Sequence, residues 1–309
     1  MAKSPARILL VSSDQNGRRL DNFLTSALDN PPKSFVYRII RRGEVRVNGG
    51  RARPDRKLVT ADRIRIPPLL ESPSEELLIG REVLEKISQA IVFEDDSMLV
   101  LNKPAGFAVH AGSGLRYGVI DAVRRLRPDN PDIELVHRID RDTSGCLLIA
   151  KNYPSLRALQ RQLGSPETQK CYLALLGGRL SSATTKVELK LATIQRNGEK
   201  RTVVDEAGKT AFTEFRVLRY VAGMSYVEAR ITTGRTHQIR VHAAAIGHPV
   251  AGDKKYADQD FIAETKNLGL NRMFLHAKSL TLAQTQGTAP QTICAPLPTQ
   301  LNQFLSDDQ

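Results

Sequence analysis

Five apolar residues in succession, Cys146-Leu147-Leu148-Ile149-Ala150, follow directly on the polar stretch His137-Arg138-Ile139-Asp140-Arg141-Asp142-Thr143-Ser144-Gly145. An unbroken apolar run of this length, entered through a turn, predicts a buried strand. The polar loop that feeds it carries its charges to the edge of a core, where an unpaired carboxylate is costly. Asp140 is the residue placed there, and the rest of the chain has to supply its partner.

A chain of 309 residues with 41% hydrophobic content has room for one large and one small domain. The early apolar run Ile8-Leu9-Leu10-Val11 is too short for a signal segment or a membrane span. Cys146, Cys171 and Cys294 are odd in number and lack paired-ligand spacing, which predicts reduced thiols in a cytoplasmic protein. The net charge of +12 is unevenly placed. Residues 1–68 hold 15 Lys and Arg against 6 Asp and Glu, a surplus of nine, so the remaining 241 residues carry only +3. That gradient points to a small polyanion-binding module ahead of a nearly balanced domain.

Apolar spacing predicts a helix over Arg19 to Leu28 and a second from Ser34, as its N-cap, to a stop at Gly43. Glu44 to Gly50 alternates charge and valine into a Gly-Gly turn, and Asp62 to Ile66 alternates again, each a strand signal. Two helices and two strands would set Arg38, Arg41, Arg42, Arg46, Arg51, Arg53 and Arg56 along one surface. Residues 69–88, rich in Glu, Ser and Pro and then weakly helical, read as a linker. The larger domain, 89–309, opens with a hairpin through Ile91-Val92-Phe93 and Met98 to Leu101. A helix at Val119 to Leu126, the Asp140 loop and its strand, and a helix marked by Leu156, Leu159 and Leu163 follow. Strand-like segments lie at 170–176, 186–191, 212–221, 225–231 and 274–282, with a helix from Thr236 to Ile246 stopped by Gly247. The fold class is α+β, with a mostly antiparallel mixed sheet and flanking helices.

The basic N-terminal block, residues 1–68, resembles the RNA-binding domain named after small-subunit ribosomal protein S-four, and arginine there suits bidentate phosphate contact. Downstream, Asn102-Lys103-Pro104-Ala105-Gly106-Phe107-Ala108-Val109-His110, the His137 to Gly145 loop, and Gly234-Arg235-Thr236-His237-Gln238-Ile239-Arg240-Val241-His242 form a recurring set. Together they resemble the RluA family of RNA pseudouridine synthases, with Ile139 where the family signature has leucine. The resemblance spans essentially the whole chain and implies isomerisation of uridines in large-subunit (23S) ribosomal RNA.

That reaction explains the residue types. Uracil must leave the sugar at N1, turn, and rejoin through C5; no electrons or phosphates are exchanged, so no cofactor, nucleotide or otherwise, is needed. One carboxylate beside the anomeric carbon, acting as nucleophile or base, is sufficient if the detached base stays trapped. By resemblance Asp140 is that group, Arg240 is the guanidinium that keeps it ionised, and Tyr172, in Lys170-Cys171-Tyr172, stacks on the base and relays the C5 proton. Arg138 matches the arginine that enters the RNA stack as the target nucleotide is extruded. Asp142 reads as a cap on the Thr143-Ser144-Gly145 backbone. His110, His137 and His237 read as loop-holding groups, since no metal-ligand spacing is present. A kinase reading fails because Ile139 interrupts His-Arg-Asp, and an aspartic-protease reading lacks its second carboxylate. A non-catalytic ribosome- or rRNA-binding protein built on the same N-terminal module is the rival, but it leaves the three downstream motifs unexplained. The expected partner is large-subunit ribosomal RNA, with no membrane, and the expected state is a monomer.

Overall fold

The computed structural model describes residues 5–28, 31, 33–68, 79–111, 115–196, 199–283 and 291–306. The basic N-terminal part builds a core of its own. Strand β1 (Arg7–Leu10) leads through a 3-10 turn at Ser13–Gln15 to helices α1 (Leu20–Ala27) and α2 (Lys33–Arg41), then to β2 (Arg46–Val47) and β3 (Arg63–Ile66). Strand β3 lies between the other two, antiparallel to both. Leu20, Phe23 and Leu24 of α1 and Val36, Ile39 and Ile40 of α2 close over Val45, Val47 and Ile64. Their helical spacing is what aligns them on one stripe. Ser34 lies inside the first turn of α2, so it is not the cap. The unit has three strands where two were expected. In β1 Ile8 and Leu10 are exposed at 54% and 68%, so this edge strand lacks the one-sided alternation that betrays a half-buried strand.

The second unit begins with α3 (Arg81–Gln89), the hairpin β4 (Ile91–Glu94) and β5 (Met98–Lys103), α4 (Val119–Leu126), β6 (Glu134–Leu135) and β7 (Ser144–Ala150). Helix α5 (Tyr153–Leu163) and strands β8 (Gln169–Leu176), β9 (Thr184–Arg196), β10 (Glu199–Val204), β11 (Lys209–Val221) and β12 (Met224–Ile231) follow. Helices α6 (Gln238–Ala245) and α7 (Gln259–Asn267), strands β13 (Leu275–Thr281) and β14 (Thr292–Cys294), and helix α8 (Thr299–Ser306) complete it. An 11-stranded sheet runs β10-β9-β11-β12-β8-β13-β7-β5-β4, with β14 beside β13 and β6 beside β7. Among the described residues only β13 and β7 pair in parallel. The α+β class with a mostly antiparallel sheet is therefore the observed one.

Every residue of β7 is buried. Cys146, Leu148 and Ala150 pack with Leu156 and Leu159 of α5, while Leu147 and Ile149 face the opposite way, onto Val119, Ile120 and Val123 of α4. One apolar run thus feeds two cores, because successive side chains of a strand alternate between faces. The linker reading of 69–88 needs correction at its C-terminal end. Residues 79–88 belong to the second unit: Ile87 of α3 is fully buried with α4, and Ile79, Val83 and Leu84 pack against the same cluster. The amphipathic period is short and dense in charge, which masked it; residues 69–78 lie outside the described residues. Strand β10 and helices α7 and α8 were also unanticipated. In β10, Glu-Lys-Arg-Thr-Val-Val offers no alternation, and its pairing with β9 decides the conformation.

The two units meet at Arg18, which is 2% exposed. Its guanidinium donates to Gln15 and Ser26 in its own unit and to Asp132 Oδ1 at 2.6 Å across the junction. It also lies 5.7 Å from the Tyr153 ring centroid.

Candidate active site

The Asp140 loop connects β6 to β7 and is held from several sides. The Leu148 N–H donates to His137 Nε2 at 3.0 Å, and the Thr143 N–H donates to the Asp140 carbonyl at 3.2 Å. Burial pushes the His137 pKa down to about 4, so the ring stays neutral and can accept that bond. Lys103, at the end of β5, is fully buried, and its Nζ donates to the carbonyls of Pro104, Phe107 and Arg141 at 2.8–2.9 Å. It staples the first motif to the Asp140 loop. Burial draws its pKa down to about 7, against three carbonyls that favour the ammonium form. At Gly145, φ is +112° and an added Cβ would strike the Ala277 carbonyl of β13. Only glycine lets β13 run this close beside β7. Ser144 accepts from Arg272 at 2.8 Å and bonds His276 Nδ1 at 2.9 Å, tying the loop's exit to the same strand.

Arg240 reaches Asp140 from α6, 100 residues along the chain. Its Nη1 donates to Asp140 Oδ2 at 3.0 Å, while Nε and Nη2 donate to the two oxygens of Asp253 at 2.7 and 2.8 Å. Burial disfavours the cation, yet the paired Asp253 and Asp140 outweigh it and hold the Arg240 pKa above its ordinary value. Asp253, whose side chain is wholly buried, also accepts the N–H groups of Lys255 and Tyr256. It clamps the guanidinium in the plane that presents Nη1 to Asp140. Sequence reasoning missed Asp253, Lys103 and Tyr256. An aspartate after Gly252 looks like any turn residue. A lysine at the end of β5, just past the apolar run Met98 to Leu101, was the one readable clue among the three.

Two cavities meet at Asp140. A small pocket of about 80 Å³ is walled by Tyr172, Ile231, Ile239 and Leu275 and reaches Asp140, His237 and Arg240. A groove of about 1180 Å³ shares Arg138, Asp140, His237 and Arg240 with it and is bordered by Lys86, Arg141, Lys254, Lys255 and Arg272. Tyr172 thus stands beside the carboxylate, and burial, reinforced by the Asp140 charge, raises its phenol pKa and keeps it protonated. Arg138 is exposed where the two cavities join. Asp142 does not cap the following backbone; its carboxylate faces Arg141 at 3.2 Å on the surface, because the Thr143 N–H is already taken by the Asp140 carbonyl.

In the N-terminal unit Arg38, Arg41, Arg42, Arg51 and Arg53 are exposed, and Arg46 and Arg56 are half-buried. Arg46 lies opposite Arg65 in the β2–β3 register, a like-charge pair that an anion would relieve. Arg42 is 3.8 Å from Glu44, and Arg38 lies over the Phe35 ring. Among the described residues no group of three or more His, Cys, Asp or Glu is placed to hold a metal ion, and no helix is long and apolar enough to cross a membrane. Cys146, Cys171 and Cys294 are free thiols.

Comparison with known proteins identifies the family. The RNA pseudouridylate synthase family matches residues 97–245 and the S4 domain matches residues 18–64. Ribosomal large subunit pseudouridine synthase C of Haemophilus ducreyi is 46% identical over 299 residues, 96% of this chain and 93% of that protein. The protein of the same name from Escherichia coli (strain K12) is 44% identical over 296 residues, covering 94% and 93%. Among solved structures, human RNA pseudouridylate synthase domain containing 1 superposes with a TM-score of 0.55 at 28% identity, over 68% of this chain and 83% of that one. Human RNA pseudouridylate synthase domain containing 4 shares the fold, with a TM-score of 0.60 at 22% identity over 73% and 95%. These matches define an RNA-modifying isomerase with an RNA-binding module at its N-terminus. The chain belongs to the RluA family of RNA pseudouridine synthases, with an S4 domain ahead of the catalytic domain.

Proposed function

We propose that this enzyme converts uridines of large-subunit ribosomal RNA to pseudouridine in the cytoplasm, with Asp140 acting at the sugar. The observation that carries the reading is the Asp140–Arg240–Asp253 chain at the junction of a small pocket, walled on one side by Tyr172, Ile231, Ile239 and Leu275, and a basic groove. Phosphates of an RNA strand suit the groove and an extruded uracil suits the pocket, which leaves the glycosidic bond beside Asp140. The substrate class follows from the names of the relatives similar over nearly the whole chain.

In the chemistry proposed, an Asp140 oxygen attacks C1′ as the N1–C1′ bond breaks, and the bonding pair leaves on uracil. Alternatively the carboxylate takes a proton from the sugar while the same bond breaks. In either case uracil turns in the pocket and C5 bonds to C1′. This displaces the Asp140 oxygen in the first route and draws the abstracted proton back from Asp140 to the sugar carbon in the second, after which the C5 proton is lost. Arg240 pairs with the carboxylate and aims it; Tyr172 walls the base and, as a neutral phenol, passes the proton rather than storing it. Arg138, at the junction of the cavities, is suited to fill the stack vacated by the extruded nucleotide. Arg38, Arg41, Arg42, Arg46, Arg51 and Arg53 supply phosphate contacts from the N-terminal domain, residues 1–68. The test is Asp140→Asn on unmodified large-subunit ribosomal RNA. RNA affinity and the thermal midpoint should stay near wild type while pseudouridine formation disappears; turnover within about tenfold of wild type would remove Asp140 from this role.

A further inference from the structure

His237 differs from its neighbours in both backbone and contacts. Its φ of 54° and ψ of 22° place a non-glycine residue in the left-handed region at the start of α6. Such a conformation is strained for an L side chain and persists only where surroundings enforce it. On one side, Nδ1 lies 2.8 Å from the Tyr256 hydroxyl, with the two rings edge to face at 5.5 Å. Tyr256 is itself fixed by the Thr202 backbone and by the Arg240 and Arg201 guanidinium groups over its ring. On the other side, Nε2 faces Asp140 Oδ2 at 3.8 Å, beyond hydrogen-bond reach, where both cavities open.

Two proton arrangements satisfy the His237–Tyr256 contact. If Tyr256 donates to the Thr202 carbonyl, Nδ1 carries the proton and the Nε2 lone pair points at the Asp140 carboxylate. If Tyr256 donates to Nδ1 while accepting the Thr202 N–H, the proton sits on Nε2 and points at that carboxylate. The negative charge of Asp140 selects the second arrangement.

We propose that His237 is a catalytic hydrogen-bond donor, whose Nε2–H binds O2 of the uracil and stabilises the base anion released when the N1–C1′ bond breaks. The inference rests on the reading of Asp140 given above. By either route the electron pair of that bond passes to the base, where N1, O2 and O4 share the charge. Asp140 and His237 stand together where base meets sugar, and O2 is the carbonyl next to N1. Burial, with Arg240 and Lys255 alongside, outweighs the opposing Asp140 charge and lowers the imidazole pKa, so the donor is neutral. A neutral donor stabilises the anion without protonating it, which leaves C5 nucleophilic for re-attack. Tyr256 is the positioning residue that sets the tautomer.

The experiment compares large-subunit ribosomal RNA transcribed with uridine or with 5-fluorouridine, scored as single-turnover loss of the N1-linked nucleoside. Fluorine withdraws electrons and makes the base a better leaving group, so it needs the donor less. His237→Ala should slow loss of uridine roughly 100-fold but of 5-fluorouridine by no more than about tenfold. His237→Asn, whose side chain tolerates the left-handed backbone but is too short to reach, should show the same contrast. Tyr256→Phe should show a smaller loss with the same dependence on leaving group. Equal losses on both transcripts, or none, would overturn the proposal. Asp140→Asn should be inert on both; activity there overturns the reading of Asp140 and leaves the His237 contrast to be judged separately. A wild-type enzyme that leaves both transcripts unchanged removes the substrate reading, and the inference with it.

Discussion

Asp253→Asn tests whether the buried clamp on Arg240 sets up the site. Asp253 accepts Arg240 Nε at 2.7 Å and Nη2 at 2.8 Å, and the backbone N–H groups of Lys255 at 2.9 Å and Tyr256 at 3.3 Å. Asparagine keeps one acceptor oxygen, but its amide then confronts the Nε–H, donor against donor. The guanidinium loses a full charge partner while remaining buried, and breaking one side of such a pair costs about 3–5 kcal/mol. Arg240 relieves part of that by moving toward Asp140, and a displacement near 1 Å of a positioned group costs on the order of 100-fold in rate. Urea denaturation gives the first quantity and single-turnover pseudouridine formation the second. The double variant Arg240→Met with Asp253→Asn removes the uncompensated charge while the asparagine oxygen still accepts the Lys255 and Tyr256 N–H groups, so it should recover most of the lost stability while remaining inactive. An Asp253→Asn protein destabilised by less than about 1 kcal/mol and turning over within about tenfold of wild type would refute this account.

Other consequences follow from separate parts of the molecule. Burial pushes the pKa values of His137, His242 and His276 down to about 4, so the folded state binds fewer protons than the unfolded chain between pH 4 and 6.5. Stability should be complete above pH 6.5 and fall as pH drops through this window, by up to about 3 kcal/mol per histidine; a denaturation midpoint flat from pH 7 to 4.5 would contradict this. Arg18→Met should raise amide exchange at residues 13–20 and 130–135 together, since one buried guanidinium joins both segments; unchanged protection would show that it does not. Replacing Arg38, Arg41 and Arg53 with glutamine should weaken RNA binding and reduce the slope of log affinity against log salt by about 2, as three phosphate contacts are lost. An unchanged slope would place those arginines away from the RNA.

Much of the architecture was legible along the chain because it is written in local periodicity. The period of α1 and α2, the hairpin at 91–101, the helix 119–126 and the strand 144–150 each express which faces meet a core, and the structure follows them to within a few residues. Where local pattern was absent the reading stopped short. Strand β1 is an exposed edge, β10 takes its conformation from β9, and α3 hides its apolar face among charges until α4 covers it.

The candidate site divides in the same way. Residue pattern by itself marked only Asp140, a carboxylate at a core edge that needs a charged partner; the resemblance of the motifs to the family joined Arg240 and Tyr172 to it. What makes them a site is tertiary. β13 slides against Gly145, Lys103 gathers three carbonyls, and a turn after α6 returns Asp253 to Arg240 and Tyr256 to His237. Those contacts join residues far apart in the chain or set by irregular backbone. No periodicity records them, and only the packed fold brings their charges within ångströms of each other.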